Sequence, residues 1–323
     1  MHSTPIRLID LHQDLAFSSQ KSDVRDDPGQ SSLKELKELG DSIVFSVIFP
    51  HISTWNERSE EMSIKYGFKQ SATSPQLSIL LEQFKLYHFY ERTGLVKIVK
   101  MAEDLDNSGL NFLISLEGAD VLTDPYDIYL LRDIGLRCLG LTWNYDNKFA
   151  ATAMSKKDYG LTGYGEEIVK LCNINGITID GAHASKKTII EAAEISSKPI
   201  IVSHANARKI HDHVRNLDDE TIEAVVSRGG IIGVTAITTT LSGNPDIDDI
   251  VKHATYIGEN FGWKHVALGT DFMGIPSVPS RFENISKIRD LEKLLGEHSD
   301  EVLWKNAYRI LKQNLQKSAY YRI

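Results

Sequence analysis

Six side chains that can bind metal ions stand at or near the ends of apolar, strand-like stretches of this sequence. They are His12, Asp14, Glu117, His183, His204 and Asp271. In the opening stretch "RLIDLHQD", His12 and Asp14 are two positions apart. Side chains at positions i and i+2 share one face of a strand. We therefore expect His12 and Asp14 to point into the same space, where one metal ion can contact both.

Imidazole and carboxylate groups together suit Zn²⁺, and Mn²⁺, Co²⁺ or Fe²⁺ are also compatible. Three imidazoles and three carboxylates exceed the three protein ligands of a single catalytic zinc. Two metal ions about 3.5–4 Å apart fit this set better. Such a pair needs a bridging ligand, and Glu117 is the natural candidate. A single His or Asp at a strand end is usually a cap or a solvated group, so the prediction depends on all six side chains meeting.

Eight β-rich stretches alternate with helical patterns along the chain. The predicted strands cover residues 6–12, 42–49, 111–117, 137–143, 176–183, 199–205, 230–236 and 265–271. The predicted helices cover residues 31–39, 74–100, 124–135, 162–176, 185–196, 218–230, 246–261 and 283–295, with an extra one at 299–315. This alternation predicts an α/β fold, a (β/α)₈ TIM barrel with an extra C-terminal helix, as one domain over residues 1–323.

An open doubly wound sheet can hold the same elements. It receives little support, because no glycine-rich phosphate-binding motif follows the first strand. In a barrel, chemistry occurs at the carboxyl ends of the strands, and five of the eight predicted strands end in a candidate metal ligand. The loop over residues 49–74 is long enough to cover that end.

Composition excludes several other classes of protein. The net charge is −8 without a basic block, which argues against nucleic-acid binding. No apolar run reaches the roughly 18 residues that suggest a membrane span, and the first residues lack a signal-peptide pattern. Cys138 and Cys172 fall within predicted core segments, which favours a reducing compartment. We therefore expect a cytoplasmic protein.

Several motifs together resemble one known family. In order, they are "IDLHQD", "ISLEGAD", "GLTGYGEEIVKLCNINGITIDGAHAS", "KPIIVSHANAR", "VRNLDDETIEAVVSRGGIIGV" and "HVALGTDF". The sequence resembles the membrane (renal-type) dipeptidase family of zinc metallopeptidases, within the amidohydrolase superfamily. The resemblance implies a barrel with two zinc ions, hydrolysis of dipeptides, and a homodimer.

The resemblance also implies a role for each matching ligand. His12 and Asp14 would hold one zinc ion. His183 and His204 would hold the other, and Glu117 would bridge the two. A hydroxide bridging the two ions would then attack the peptide carbonyl at neutral pH, because bound metal ions lower the pKa of water.

Further roles concern catalysis and substrate binding. Asp271 would act as general acid and base, and Arg215 would bind the free carboxylate of the substrate. The segment "LTWN" departs from the family pattern, because several members carry a histidine where Trp143 stands. Trp143 can form an apolar wall, and Asn144 can donate a hydrogen bond to the substrate, although both can also serve packing alone.

Two rival functions remain open from the sequence. An enzyme of the same superfamily that acts on β-lactams, lactones or N-acyl amino acids would need the same metal centre, since one hydroxide can attack any of these substrates. A non-catalytic barrel scaffold would be expected to lack some ligands, whereas all six candidates are present. Two further carboxylates have less certain places. Strict alternation from His183 points Asp180 outward unless the strand is bulged there, and Asp10 shares the parity of His12 and can accept a hydrogen bond behind it. A capping or structural role is equally open for both.

Overall fold

The computed structural model describes residues 5–19, 22–26, 29–51 and 75–317. Its centre is a closed, parallel, eight-stranded barrel, and a two-residue strand, β3, pairs with the start of β4. The strands are β1 Leu8–Gln13, β2 Ser42–Ile48, β3 Lys97–Ile98, β4 Leu110–Leu116, β5 Leu136–Gly140, β6 Thr178–Asp180, β7 Ile201–Val202, β8 Ile231–Val234 and β9 Val266–Leu268. The barrel runs in the order β2, β1, β9, β8, β7, β6, β5, β4, and it closes through a continuous seven-residue register between β4 and β2.

Helices follow most strands and cover the outside of the barrel. They are α1 Leu15–Ser18, α2 Leu33–Leu39, α3 Pro75–Arg92, α4 Asp127–Asp133, α5 Gly163–Asn175, α6 Lys186–Ile195, α7 Asp219–Ser227, α8 Thr238–Leu241, α9 Ile247–Ile257, α10 Ile288–Leu295 and α11 Asn306–Asn314. Side-chain caps begin several of them, as at Ser32, Thr162, Ser185 and Asp218, whose oxygens accept a backbone N–H of the first turn.

Two buried clusters account for most of the core. The larger one joins the outer faces of the strands to the apolar faces of the helices. The second draws one or two residues from each of seven strands and therefore fills the barrel interior: Ile9, Leu11, Ile43, Phe45, Leu113, Cys138, Ile201, Ile231 and Ala267. This double-sided burial explains why the strands are almost continuously apolar.

The last helix, α11, closes the amino-terminal end of the barrel. Its side chains Ile310 and Leu311 join the interior cluster. Asn314 donates hydrogen bonds to Thr178 and to the carbonyl of Pro199, at the starts of β6 and β7. One end of the barrel is thus sealed, and access is left to the carboxyl ends of the strands.

The fold prediction is confirmed, with differences in detail. The predicted helix 74–100 is too long: α3 ends at Arg92, Gly94 follows with a φ of 72°, and Lys97–Ile98 is a strand. Cys138 and Cys172 are buried and unbridged. Among the described residues, no helix has the length and apolar character needed to cross a membrane. Residues 52–74 of the predicted covering loop lie outside the described part of the chain.

Candidate metal centre

All six predicted ligands lie together at the carboxyl ends of the strands. Glu117, directly after β4, is central: its Oε1 lies 2.8 Å from His183 Nε2 and 3.6 Å from the Nε2 atoms of both His12 and His204. His12 Nε2 in turn lies 3.5 Å from Asp14 Oδ2 and 3.6 Å from Asp271 Oδ1. The structure therefore brings together side chains from five different strand ends.

A bulge in β1 turns His12 toward the cluster. Asp10 pairs with Val44 of β2, whereas Gln13 pairs with Ser46, so β1 contains one residue more than its neighbour over this stretch. Leu11 fills the barrel interior, and His12 faces the interior as well, which regular alternation would forbid. The strand ends at Gln13, so Asp14 reaches the site from the start of α1 rather than from the strand.

The side chains of His183 and His204 face each other at short range. Their Nε2 atoms are 2.9 Å apart. His183 Nδ1 lies 2.9 Å from Asn144 Oδ1, an acceptor that fixes the proton on Nδ1 and leaves a lone pair on Nε2. Ser203 Oγ lies 2.8 Å from His204 Nδ1. When both Nε2 atoms carry a lone pair, they repel each other, and a cation bound between the two rings would relieve this repulsion.

The charges of the cluster also call for a cation. Burial raises the pKa of Glu117 well above its usual range. Burial lowers the pKa values of His183 and His204. Burial alone would lower the pKa of His12, but Glu117 and the neighbouring aspartates raise it to about 10. Neither ring nitrogen of His12 has a hydrogen-bond partner among the described residues, although buried polar groups are normally paired.

Arg215 lies beside this cluster in the loop after β7. Its Nε and Nη2 atoms are buried and have no hydrogen-bond partner among the described residues. Burial lowers its pKa to about 10, while Glu117 and Asp271 act in the opposite direction. Leaving these two buried donors without a partner costs free energy, and the fork of guanidinium donors matches a carboxylate.

A cavity of about 160 Å³ connects the cluster with Arg215. Besides predicted site residues, its lining includes four that the sequence reasoning missed: Phe17, Phe49, Ile237 and Gly274. Each follows a strand end by a few residues, in β1, β2, β8 and β9 respectively. Position after a strand end is thus the signal that would have found them. The predicted residues Trp143 and Asn144 line the same cavity.

Asp271 completes the carboxylate side of the cavity. Burial raises its pKa to about 7, an effect that Asp14 increases and that His12 and Arg215 oppose. Its backbone has a φ of 62°, in the left-handed region, and its N–H donates to the carbonyl of His12 at 3.0 Å. A strained backbone at a site of this kind is a common mark of function.

Two carboxylates behind the cluster differ from expectation. Asp180 points inward, and its carboxylate lies within 4.8 Å of ring nitrogens of His12 and His204. The outward prediction is wrong because it counted from His183, which lies beyond β6 with a φ of 64°. Asp10 supports His12 through the backbone N–H rather than through the ring.

The arrangement satisfies the chemistry of a metal centre. Among the described residues, three sets of three side chains have their ligand atoms within 4.8 Å of one another, so that each set could hold a metal ion. The sets are Glu117 with His183 and His204, His12 with Asp14 and Glu117, and His12 with Asp180 and His204. Glu117 belongs to two of these sets. A closed parallel barrel with such a cluster at the carboxyl ends of its strands is the arrangement of metal-dependent barrel enzymes.

Comparison with known proteins identifies the family. The model of the membrane dipeptidase family, peptidase family M19, matches residues 3–321, and the chain belongs to this family. An uncharacterised dipeptidase of Schizosaccharomyces pombe is 36% identical over 210 residues, which are 61% of this chain and 50% of the relative. The match thus spans only half the length of that relative. A second uncharacterised dipeptidase of that yeast is 27% identical over 317 residues, 91% of this chain and 76% of the relative.

Solved structures share the fold at low sequence identity. One is a metallopeptidase from Rhodobacter sphaeroides bound to a phosphinate mimic of the dipeptide L-Ala-D-Ala, with a TM-score of 0.81, 18% identity, and coverage of 96% of this chain and 100% of that one. A probable dipeptidase from Pseudomonas aeruginosa also has a TM-score of 0.81 and 18% identity, with 95% of both chains covered.

Proposed function

We propose that the protein hydrolyses the peptide bond of free dipeptides with two bound divalent cations, zinc being the expected metal. The observation that carries this proposal is the juxtaposition of two unsatisfied groups in one cavity of about 160 Å³. One is the cluster of facing imidazoles and carboxylates, and the other is the guanidinium of Arg215, whose Nε and Nη2 have no hydrogen-bond partner among the described residues. The first suits hydrolysis, and the second suits a substrate that ends in a carboxylate.

The residues of the cluster divide into two ligand sets that share one member. His12 and Asp14 would hold one ion, His183 and His204 the other, and Glu117 would contact both. Bound there, the ions would acidify a water molecule and polarise the peptide carbonyl. Asn144 and Ser203 hold the rings of His183 and His204 in the orientation that presents Nε2.

We propose Asp271 as the residue that transfers protons. Its Oδ1 lies 3.6 Å from His12 Nε2, at the rim of the cluster, and its side chain is 14% exposed. We assign it the removal of the proton from the attacking water and its delivery to the departing amine. Asp271 can serve both steps because its side chain reaches the cavity from the rim of the ligand cluster and not from its centre.

Arg215 restricts the substrate at the other end. Its buried donors would form a bidentate contact with the free carboxylate of the dipeptide. A cavity of about 160 Å³ is smaller than the roughly 300 Å³ at which ordinary ligand pockets begin. Long peptides are therefore poor candidates. We further propose that the chain forms a single domain, assembles as a homodimer and works in the cytoplasm.

Metal analysis and a substrate panel test this proposal. The purified protein should bind about two equivalents of zinc or a similar ion, and chelation should abolish hydrolysis of Ala-Ala. Glu117→Gln should lose most metal and activity together. The panel compares free dipeptides with amidated dipeptides, N-acyl amino acids, β-lactams and lactones. Faster turnover of a β-lactam or lactone, or a zinc-loaded protein inactive on the whole panel, would contradict dipeptidase function.

A further inference from the structure

Three aromatic side chains form one wall of the catalytic cavity. We call Phe17, Phe49 and Trp143 the aromatic wall. The rings of Phe17 and Phe49 are 5.3 Å apart and those of Phe49 and Trp143 5.1 Å apart, both edge to face. The three belong to one buried cluster and all line the cavity. The catalytic cavity thus has an apolar side as well as a charged one.

Contacts with His51 and Thr152 fix the position of Trp143 within the wall. The ring of His51 stacks on it at 4.8 Å with an interplanar angle of 19°. His51 Nε2 lies 2.7 Å from the carbonyl oxygen of Glu117, and Thr152 Oγ1 donates to the carbonyl of Trp143 at 2.6 Å. The indole is therefore held relative to the central ligand, and a ligand in the cavity meets a preformed surface.

The aromatic wall extends around the barrel from the side opposite to Arg215, where Phe49 lies, to Trp143, which follows β5, two strands from β7. Phe49 directly follows β2, and Arg215 follows β7. In the closed sheet, β2 and β7 are separated by four steps in either direction, which makes them diametrically opposite. Glu117 and His183 line the same cavity between these two sides. The cavity therefore has an order: guanidinium, metal cluster, aromatic wall.

We propose that the aromatic wall receives the side chain of the N-terminal residue of the dipeptide and that Trp143 limits its size. This inference rests on the proposed dipeptidase function. With the carboxylate on Arg215 and the peptide carbonyl at the cluster, the N-terminal residue extends to the opposite side. Apolar walls disfavour charged groups, which lose their hydration there. The preferred substrates are thus dipeptides whose N-terminal side chain is small and apolar.

A two-way substrate series tests this assignment with zinc-loaded protein. The N-terminal series compares Ala-Ala with Phe-Ala, Asp-Ala and Lys-Ala, and the C-terminal series compares Ala-Ala with Ala-Phe. Wild type should prefer Ala-Ala over Asp-Ala and Lys-Ala in kcat/KM. Trp143→Ala should raise the Phe-Ala to Ala-Ala ratio by about tenfold or more, the range in which pocket size discriminates, and should leave the C-terminal ratio unchanged.

Two further variants serve as controls. Tyr145→Ala removes an exposed ring 6.0 Å from Trp143 that does not line the cavity, and it should leave both ratios unchanged. Trp143→Phe keeps an aromatic ring and should shift the N-terminal ratio in the same direction by a smaller factor. Metal content and thermal melting would reveal whether Trp143→Ala folds. If it does not fold, Trp143→Phe alone tests whether Trp143 limits the size of the N-terminal side chain.

The outcomes separate this inference from the function on which it rests. A wild type that hydrolyses no dipeptide overturns the proposed function. A wild type that hydrolyses dipeptides without preference at the N-terminal residue overturns the inference alone. The same holds if folded Trp143 variants keep the N-terminal ratio within twofold of wild type, or if they change the C-terminal ratio instead.

Discussion

Gly274 offers a test of the metal centre that leaves every proposed ligand in the chain. It lines the cavity next to the two aspartates. A Cβ atom at this position would lie 2.1 Å from Asp14 Oδ2 and 2.8 Å from Asp271 Oδ1, and real Cβ atoms essentially never make contacts below 3.0 Å. In Gly274→Ala, Asp14 Oδ2 must therefore retreat by about 0.9 Å (3.0 minus 2.1).

The expected consequence is a large functional loss with a moderate loss of stability. Misplacement of a reacting or binding group by about 1 Å can reduce the rate on the order of 100-fold. Overpacking of a buried site typically costs about 1–3 kcal/mol of unfolding free energy. We therefore expect Gly274→Ala to fold, to bind less than the wild-type amount of metal, and to hydrolyse Ala-Ala about 100-fold more slowly.

The assay combines metal content, kcat/KM for Ala-Ala and thermal melting. Gly243→Ala is the matched control, because a Cβ there has no neighbour within 4 Å in the described part of the chain, and we expect wild-type values for it. A folded Gly274→Ala protein with full metal content and activity within threefold of wild type would show that Asp14 and Asp271 do not need their observed positions. The assignment of Asp14 as a ligand would then be wrong.

Two other predictions concern single contacts, and a third concerns the metal centre as a whole. Arg215→Ala should raise KM for free dipeptides about 100-fold and leave the slow hydrolysis of amidated dipeptides unchanged. An equal loss of kcat/KM for both kinds of substrate would refute the contact between Arg215 and the substrate carboxylate. Asn144→Leu should weaken metal binding about 10–100-fold in competition with a chromophoric chelator, because His183 loses its acceptor, and Asn144→Asp should restore it. Calorimetry should show about 4 kcal/mol of added stability with zinc at 1,000 times its Kd, whereas an unchanged Tm would exclude binding to the folded state.

Periodicity and composition were sufficient to predict the architecture. Eight apolar stretches and intervening helices predicted a parallel sheet buried on both faces. The missing phosphate-binding motif and the polar residues at the strand ends favoured the closed barrel over an open doubly wound sheet. The ends of the elements were less predictable. The predicted helix from residue 74 extended to 100, whereas the structure ends the helix at Arg92 and uses Ile98 in a strand. Val96 and Ile98 are two positions apart, which is the spacing of a strand and not of a helix.

The clustering of the six candidate ligands was predictable, but the geometric reason given for it was incomplete. Alternation placed His12 and Asp14 on one face of a regular strand. In the structure, His12 faces the site because β1 is bulged, and Asp14 lies beyond the strand. Alternation also gave the wrong direction for the side chain of Asp180, because it was counted from His183, which belongs to a loop. Bulges and loop conformations depend on neighbouring strands, which a period counted along one segment does not contain.

Other features of the site depend on contacts between loops and were invisible in the sequence. The stacking of His51 on Trp143 joins the loops after β2 and β5. The side chain of His51 is buried and hydrogen-bonded to the Glu117 carbonyl, although its place in a loop after β2 would suggest a solvated residue. The position of Arg215 was suggested only by family resemblance, because nothing in its local sequence distinguishes it from an exposed loop arginine.

Closure of the barrel and assembly of the metal centre are one structural event in this protein. The first and last strands meet at Asp10, whose buried carboxylate accepts hydrogen bonds from the backbone N–H groups of His12 and Thr270 and from the side chains of Gln13 and Thr270. Beside it, Asp271 N–H donates to the carbonyl of His12. His12 and Asp271 are 259 positions apart (271 minus 12), and the pairing of β1 with β9 sets their 3.6 Å approach. A sheet opened between β1 and β9 would leave the proposed proton carrier and the first ligand on opposite edges.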